Sequence, residues 1–351
     1  MPDIIKGIDG GPQFCKSHRE QIIARDSTHL LKLAEAIRNT DELSKQDVEV
    51  TRRVVSFDSP VQIGIVVALK EEFRELFARI QRHAKPVVKE DINQYYYVFE
   101  TGSGPNSYKC AATFIGGMGI DKAALAADRL MAQFHPNTII NIGIAGSMDS
   151  DVRVGDVVIA EQANNYLANA KTIEGPYAAT LNFQLSGDPY KSTPRYVTDA
   201  KNLEFAHPDR MEAWRSTCSQ NLTKIVKEIE LKTLQDQGLI RETPSLHEGN
   251  IASGTIVGAS ELFATWLKER GDRKYLAIEM EAVGVMAAAY TRPTDTLVIR
   301  GISDFSDNRK TELERIYQGS LRRYGMSNAL EFLWTLIALR AFRTSPSIVN
   351  A

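Results

Sequence analysis

Three cysteines in 351 residues, Cys15, Cys110 and Cys218, are too few and too widely spaced for a disulfide framework or a paired-cysteine zinc site. The six histidines, His18, His29, His83, His135, His207 and His247, do not cluster at ligand spacing either, so no metal is expected. No apolar run approaches the length of a membrane span, and the first residues lack the basic-then-apolar order of a secretory signal. A formal net charge of −2 with 25% charged residues leaves no cationic surplus for nucleic acid or an anionic membrane. These absences point to a cytoplasmic protein of small-molecule chemistry, and 43% hydrophobic residues are ample for a large core.

What is present is a set of strands that end in polar residues. Thr296-Leu297-Val298-Ile299 is the apolar, β-favouring run of a strand covered on both faces, and it leads into Arg300-Gly301-Ile302-Ser303-Asp304. Open α/β sheets hold ligands at the carboxyl ends of their strands. A half-shielded carboxyl group there can keep its proton near neutral pH and pass it to a leaving group, although Ser and Asp also serve as plain caps. A second strand, Ala277-Ile278-Glu279-Met280-Glu281, runs into the small-residue helix Ala282-Val283-Gly284-Val285-Met286-Ala287-Ala288-Ala289. That pairing implies an acid aimed into a cleft beside a helix that packs close to the sheet.

Upstream, Gln62-Ile63-Gly64-Ile65-Val66-Val67-Ala68 reads as a first strand, followed by a helix whose Glu71 and Glu72 suit its N-terminus. Residues 95–99 and 111–115 read as further strands, and an alanine-rich helix runs from 121 to about 134. The Gly116-Gly117-Met118-Gly119 turn before that helix lacks the third glycine of a dinucleotide fingerprint, which excludes a nicotinamide cofactor. Thr138-Ile139-Ile140-Asn141-Ile142-Gly143-Ile144-Ala145-Gly146 and Val154-Gly155-Asp156-Val157-Val158-Ile159-Ala160 complete the pattern, and residues 329–342 read as a closing helix.

Glu279-Met280-Glu281-Ala282 followed by Arg300-Gly301-Ile302-Ser303-Asp304, with the Gly143-Ile144-Ala145-Gly146 turn before them, resembles the nucleoside phosphorylase and nucleosidase superfamily. The likeness is greatest to the branch containing methylthioadenosine/S-adenosylhomocysteine nucleosidase, and it covers about residues 61–340. It implies a three-layer α/β/α sandwich around a central mixed sheet. It also implies a purine nucleoside or nucleotide N-ribosyl hydrolase that needs neither metal nor organic cofactor. On this resemblance Asp304 is the acid toward the departing base, with Ser303 positioning it. Glu281 holds the ribose hydroxyls near the developing cation, and Glu72 is the base that activates water. Glu279, Met280, Ala145 and Gly146 belong to the substrate site, Met280 packing against the sugar. Tyr166 is the candidate for stacking on the base. Ile256 and Val257 continue Gly249-Asn250-Ile251-Ala252-Ser253-Gly254, a segment whose counterpart binds adenine through its backbone. Arg300 is then the structural partner of one of the carboxylates.

The departures from the family pattern carry their own expectations. Phosphorylases of the superfamily place an arginine two residues before the first glycine of the turn and a serine just after it, both on phosphate. Here Asn141 and Ile144 stand there, so water is expected as the nucleophile. The alternatives are a purine nucleoside phosphorylase and a non-catalytic nucleoside-binding regulator. Thr255 replaces the aspartate that usually follows the Ser-Gly pair, which leaves the base open. An enlarged insertion spans about 164–248, with one amphipathic helix marked by Leu222, Ile225, Val226 and Ile229 and another at 211–217. Within it Lys171, Lys191 and Arg195 are candidates to meet a charged 5′ group. The catalytic domain is expected over 61–345, preceded by a short helical N-terminal extension at 1–60. Leu30, Leu33, Ala34 and Ile37 recur there at helical spacing and need a partner, so a homodimer or higher homo-oligomer is expected. The extension, the insertion and the Ser303-Asp304-Phe305-Ser306-Asp307 stretch, similar to one in some effector nucleosidases, admit a nucleotide-depleting role in bacterial defence.

Overall fold

The computed structural model describes residues 61–89, 94–101, 107–174, 181–256 and 258–344. The chain divides into two compact units, Met1–Asp58 and Ser59–Ala351, and every described residue belongs to the second. The extension at 1–60 and its apolar face lie outside the described residues.

The second unit opens with β1 (Ile63–Val67), buried throughout, and α1 (Lys70–Ile80). An antiparallel run of β2 (Lys85–Lys89), β3 (Gln94–Thr101) and β4 (Tyr108–Phe114) follows. The chain continues through α2 (Ile120–Phe134), β5 (Thr138–Ser147) and β6 (Val157–Asn165). The insertion then supplies β7 (Lys171–Glu174), β8 (Leu181–Gln184), β9 (Pro189–Lys191), α3 (Pro194–Ala206), α4 (Pro208–Ile225) and α5 (Glu228–Asp236). It returns through β10 (Leu246–Ser253), α6 (Glu261–Arg270), β11 (Tyr275–Glu279) and α7 (Ala282–Tyr290). The last elements are β12 (Asp295–Asp304), α8 (Arg309–Tyr317) and α9 (Ser320–Ala338).

The main sheet runs β11-β10-β6-β12-β5-β1-β4-β3-β2, with β9 added beside β6. Alternation along its strands assigns the two faces. Ile63, Ile65 and Val67 pack with Phe73 and Leu76 of α1 and with Leu330 and Leu333 of α9, whereas a side chain at Gly64 would meet Leu130 of α2 at 2.6 Å. Val157 and Ile159 face the same layer as α9, while Val158 and Ala160 face Ala282, Val283 and Met286 of α7. Helices thus cover both faces of a mixed sheet, the three-layer arrangement that the family resemblance implies. Gly301 has no side chain because a Cβ there would overlap the carbonyl of Gly325, so the α9 backbone rests directly on β12.

One feature of the sheet positions the site. β11 pairs with β10 and also, antiparallel, with β5 through Ala277–Ser147 and Ile278–Gly146. Strands β5, β12, β6, β10 and β11 therefore close on themselves at one end of the sheet. The closure draws together the carboxyl ends of β5, β11 and β12, and the β12 register shifts between Ile302 and Asp304 opposite β5. Two local expectations change. Residues 211–217, Leu222 and Ile225 lie on the single helix α4, because Met211, Trp214, Cys218 and Leu222 continue one buried face. That helix stops where Val226 turns extended (φ −106°, ψ 132°), and Ile229 falls in α5. The closing helix begins nine residues earlier than position 329, at Ser320.

Candidate active site

The converging strand ends border a cavity of about 320 Å³. Leu69 and Glu72 contribute from the start of α1, Ile144, Ala145 and Gly146 from β5, and Glu279, Met280 and Glu281 from the β11–α7 junction. Ser303 and Asp304 come from the end of β12, Ile256 and Gly258 from the loop after β10, and Lys310, Thr311 and Glu314 from α8.

Glu72 sits in the first turn of α1, buried, with its carboxylate accepting the N–H of Leu69 at 2.8 Å and that of Ile144 at 2.8 Å. Burial raises its pKa above the ordinary 4.5, against the opposing pull of those two N–H groups and of Arg300 and Arg322. Beneath it lies Arg300, fully buried on β12, whose guanidinium donates to Asn141 Oδ1 and to the Glu279 carboxylate. A Cβ at Gly143 would stand 2.5 Å from that guanidinium and 2.9 Å from Glu72 Oε1, so this glycine makes room for both. Asn141 amide N–H donates in turn to the Val66 carbonyl at 3.1 Å.

Glu279 holds the next residues in place. Its Oε2 accepts from Arg300 and from the N–H groups of Glu281 and Ala282, both at 2.9 Å, and so pins the entry to α7. Glu281 then faces the cavity with Oε1 accepting from the Gly119 N–H at 3.2 Å. Burial, then the charges of Glu279 and Glu72, push its pKa up to about 7, with Arg300 and the Gly119 N–H pulling the other way.

Asp304 is 6% exposed at the end of β12. Ser303 Oγ lies 2.8 Å from its Oδ2 and 3.3 Å from the Ala145 carbonyl. Its Oδ1 accepts from the Ser306 N–H at 3.0 Å, and Ser306 itself lies in the left-handed region (φ 53°). Lys310 Nζ stands 3.4 Å from Oδ2. On the same wall Arg322 of α9 pairs with Glu71 and lies 3.6 Å from Glu314.

The structure brings most of the expected site residues to this one cavity: Glu72, Ala145, Gly146, Ile256, Glu279, Met280, Glu281, Ser303 and Asp304 all line it. Val257 lies outside the described residues. Tyr166 is a correction, since it does not line the cavity. It is 1% exposed in a cluster with Met148, Ala252, Tyr275 and Ile278, edge-on to Phe263, and fills the space a Cβ at Gly254 would need. With both ring faces covered it supports the wall and offers no stacking surface. The basic residues of the insertion are a second correction. Lys171 and Lys191 are exposed on β7 and β9, and Arg195 donates to the Ala341 carbonyl at 2.6 Å beside a separate cavity. Ser306, Lys310 and Arg322 are lining residues that the sequence alone does not reveal. Ser306 falls within a noted Ser-Asp repeat, but Lys310 and Arg322 carry no spacing signal toward a strand end.

The arrangement sets a carboxyl group with a hydroxyl partner across a cleft from two carboxylates, a layout suited to proton donation on one side and cation or water handling on the other. It offers little to an incoming phosphate. Asn141 is spent on Val66 and Arg300, Ile144 gives its N–H to Glu72, and the nearby cations are engaged with carboxylates, Arg300 with Glu279, Arg322 with Glu71 and Lys310 at 3.4 Å from Asp304. Among the described residues no group of His, Cys, Asp and Glu is arranged to hold a metal, and no helix is long and apolar enough to cross a membrane.

Comparison with known proteins matches residues 62–338 to the phosphorylase superfamily. A 5′-methylthioadenosine/S-adenosylhomocysteine nucleosidase of Oceanobacillus iheyensis is 25% identical over 244 residues, covering 70% of this chain and 86% of its own. One from Staphylococcus saprophyticus is 25% identical over 250 residues, 70% of this chain and 87% of its own. The fold is similar to futalosine hydrolase of Helicobacter pylori, with TM-score 0.53 and 16% identity over 79% of this chain and 97% of that one. It is also similar to the Streptococcus pneumoniae nucleosidase in complex with 8-aminoadenine, with TM-score 0.51 and 21% identity over 79% and 100%.

Proposed function

The chain belongs to the phosphorylase superfamily, and from that premise we propose that it is a purine N-ribosyl hydrolase releasing free base from a nucleoside or nucleotide. Asp304 donates a proton to N7 of the purine, with Ser303 orienting its carboxyl group. As the bond from C1′ to N9 breaks, its electron pair leaves with the base and positive charge develops on the sugar. Glu281 receives the ribose hydroxyls and faces that charge, Met280 packs against the ring, and Glu72 takes the proton of the attacking water. Burial, which raises the pKa of Glu72, makes its carboxylate a better proton acceptor. The relatives named above as nucleosidases support the same reading.

The observation that carries hydrolysis over phosphorolysis is the Glu72 carboxylate bonded to the Ile144 N–H, at the turn where a phosphorylase needs cationic donors. A nucleoside-binding regulator would need no acid opposite a base across one bond. The test is incubation with purine nucleosides and nucleotides, with and without phosphate, followed by chromatography. Free base plus ribose, at a rate independent of phosphate, is expected. Ribose 1-phosphate formed in proportion to phosphate would make the protein a phosphorylase.

A further inference from the structure

Lys310 lines the cavity and is not used by this mechanism. It enters from α8 with its side chain 23% exposed and its ammonium 3.4 Å from Oδ2 of Asp304. If Asp304 serves N7, as the reading above holds and on which this inference rests, then Lys310 stands beside the same edge of the purine. That edge distinguishes two classes of base. A 6-oxopurine presents two acceptors there, N7 and O6, whereas a 6-aminopurine presents the N7 acceptor and an N–H donor. An ammonium has three donors and no acceptor. Beside Asp304 it therefore meets a partner in O6 and a like donor in a 6-amino group.

The carboxylates around Lys310 are already engaged. Asp304 Oδ1 is already bonded to the Ser306 N–H and Oδ2 to Ser303, while Glu314, the carboxylate that α8 adds to the wall, lies 3.6 Å from Arg322. Charge flow during cleavage favours the same base. The electron pair of the broken bond to C1′ delocalises onto the purine, and in a 6-oxopurine part of it reaches O6, where a cation stabilises the transition state more than the ground state.

We propose that Lys310 is a specificity residue that selects 6-oxopurine ribosides, donating to O6 while Asp304 serves N7. The test compares kcat/KM for inosine and adenosine in the full-length protein and in Lys310→Met and Lys310→Arg. Inosine is expected to be preferred by about tenfold or more, with the ratio falling toward one in Lys310→Met and restored in Lys310→Arg. Preference for adenosine, or a Lys310→Met change that lowers both substrates alike and leaves the ratio intact, would overturn the proposal while the hydrolase reading stood. Where only nucleotides are cleaved, IMP and AMP take the place of the two nucleosides in the same comparison, and cleavage of none of the four would instead sink the hydrolase reading. Calorimetric titration with hypoxanthine and adenine then decides the Lys310 contact by itself: tighter hypoxanthine binding, lost in Lys310→Met, supports it, and equal or tighter adenine binding refutes it.

Discussion

Replacing Glu281 with glutamine should stabilise the protein at pH 8 while stopping its chemistry. Glu281 is 5% exposed, and burial together with the charges of Glu279 and Glu72 raises its pKa from 4.5 to about 7. At 1.36 kcal/mol for each tenfold change in proton affinity, ionising this side chain in the folded protein costs about 3 kcal/mol once the pH is above 7. The folded protein holds the proton more tightly than the unfolded chain. The contribution of Glu281 is therefore at its most favourable below pH 4.5 and is lost as the pH rises through about 7. Glutamine keeps the size of the side chain and an oxygen for the Gly119 N–H, but has no charge to bury. Urea denaturation of both proteins at pH 5 and pH 8 is the assay. The two should agree within about 1 kcal/mol at pH 5, with the variant about 3 kcal/mol more stable at pH 8. A variant no more stable than its parent at pH 8 would refute the reasoning, because Glu281 would then carry no cost of ionisation. Lost turnover alongside the gain would mark this residue as stability given up for function.

Asp304→Asn keeps an acceptor for the Ser306 N–H but cannot supply a proton, so turnover should fall by about two to four orders of magnitude with the circular dichroism unchanged; near-normal turnover would remove Asp304 from the mechanism. Arg300→Met leaves the buried Glu279 carboxylate without its cation and should cost about 3–5 kcal/mol in the same denaturation assay. A loss below about 1 kcal/mol would mean that this ion pair does not hold the β11–α7 junction. Gly301→Ala forces α9 away from β12 and should lower stability by about 1–3 kcal/mol or more, an unchanged melting temperature being the contrary result.

The parts of this molecule legible in its sequence are those set by local physics. An apolar run that ends in a carboxylate marks a buried strand and its carboxyl end, which is why Glu281 and Asp304 are legible, and the unbroken apolar runs of β1 and of the start of β6 announce a sheet covered on both faces. Glu72 was legible as the acid of a first helical turn, and the family likeness gave it a role. Long-range pairing decided the rest. The bond between β5 and β11 that closes one end of the sheet joins residues more than a hundred positions apart, and no periodicity in either strand announces it. Tyr166 lay near the right strand, yet whether its ring meets a ligand or a core depends on Phe263 of α6 and on Gly254 arriving over it. Lys310 shows the same limit from the other side. On α8 it has the pattern of a surface lysine, and nothing in that pattern says that its ammonium comes within 3.4 Å of Asp304. Sequence patterning determines which side chains a strand end offers, because periodicity is local; which of them meet across a cavity is decided by register and closure, because those depend on partners far along the chain.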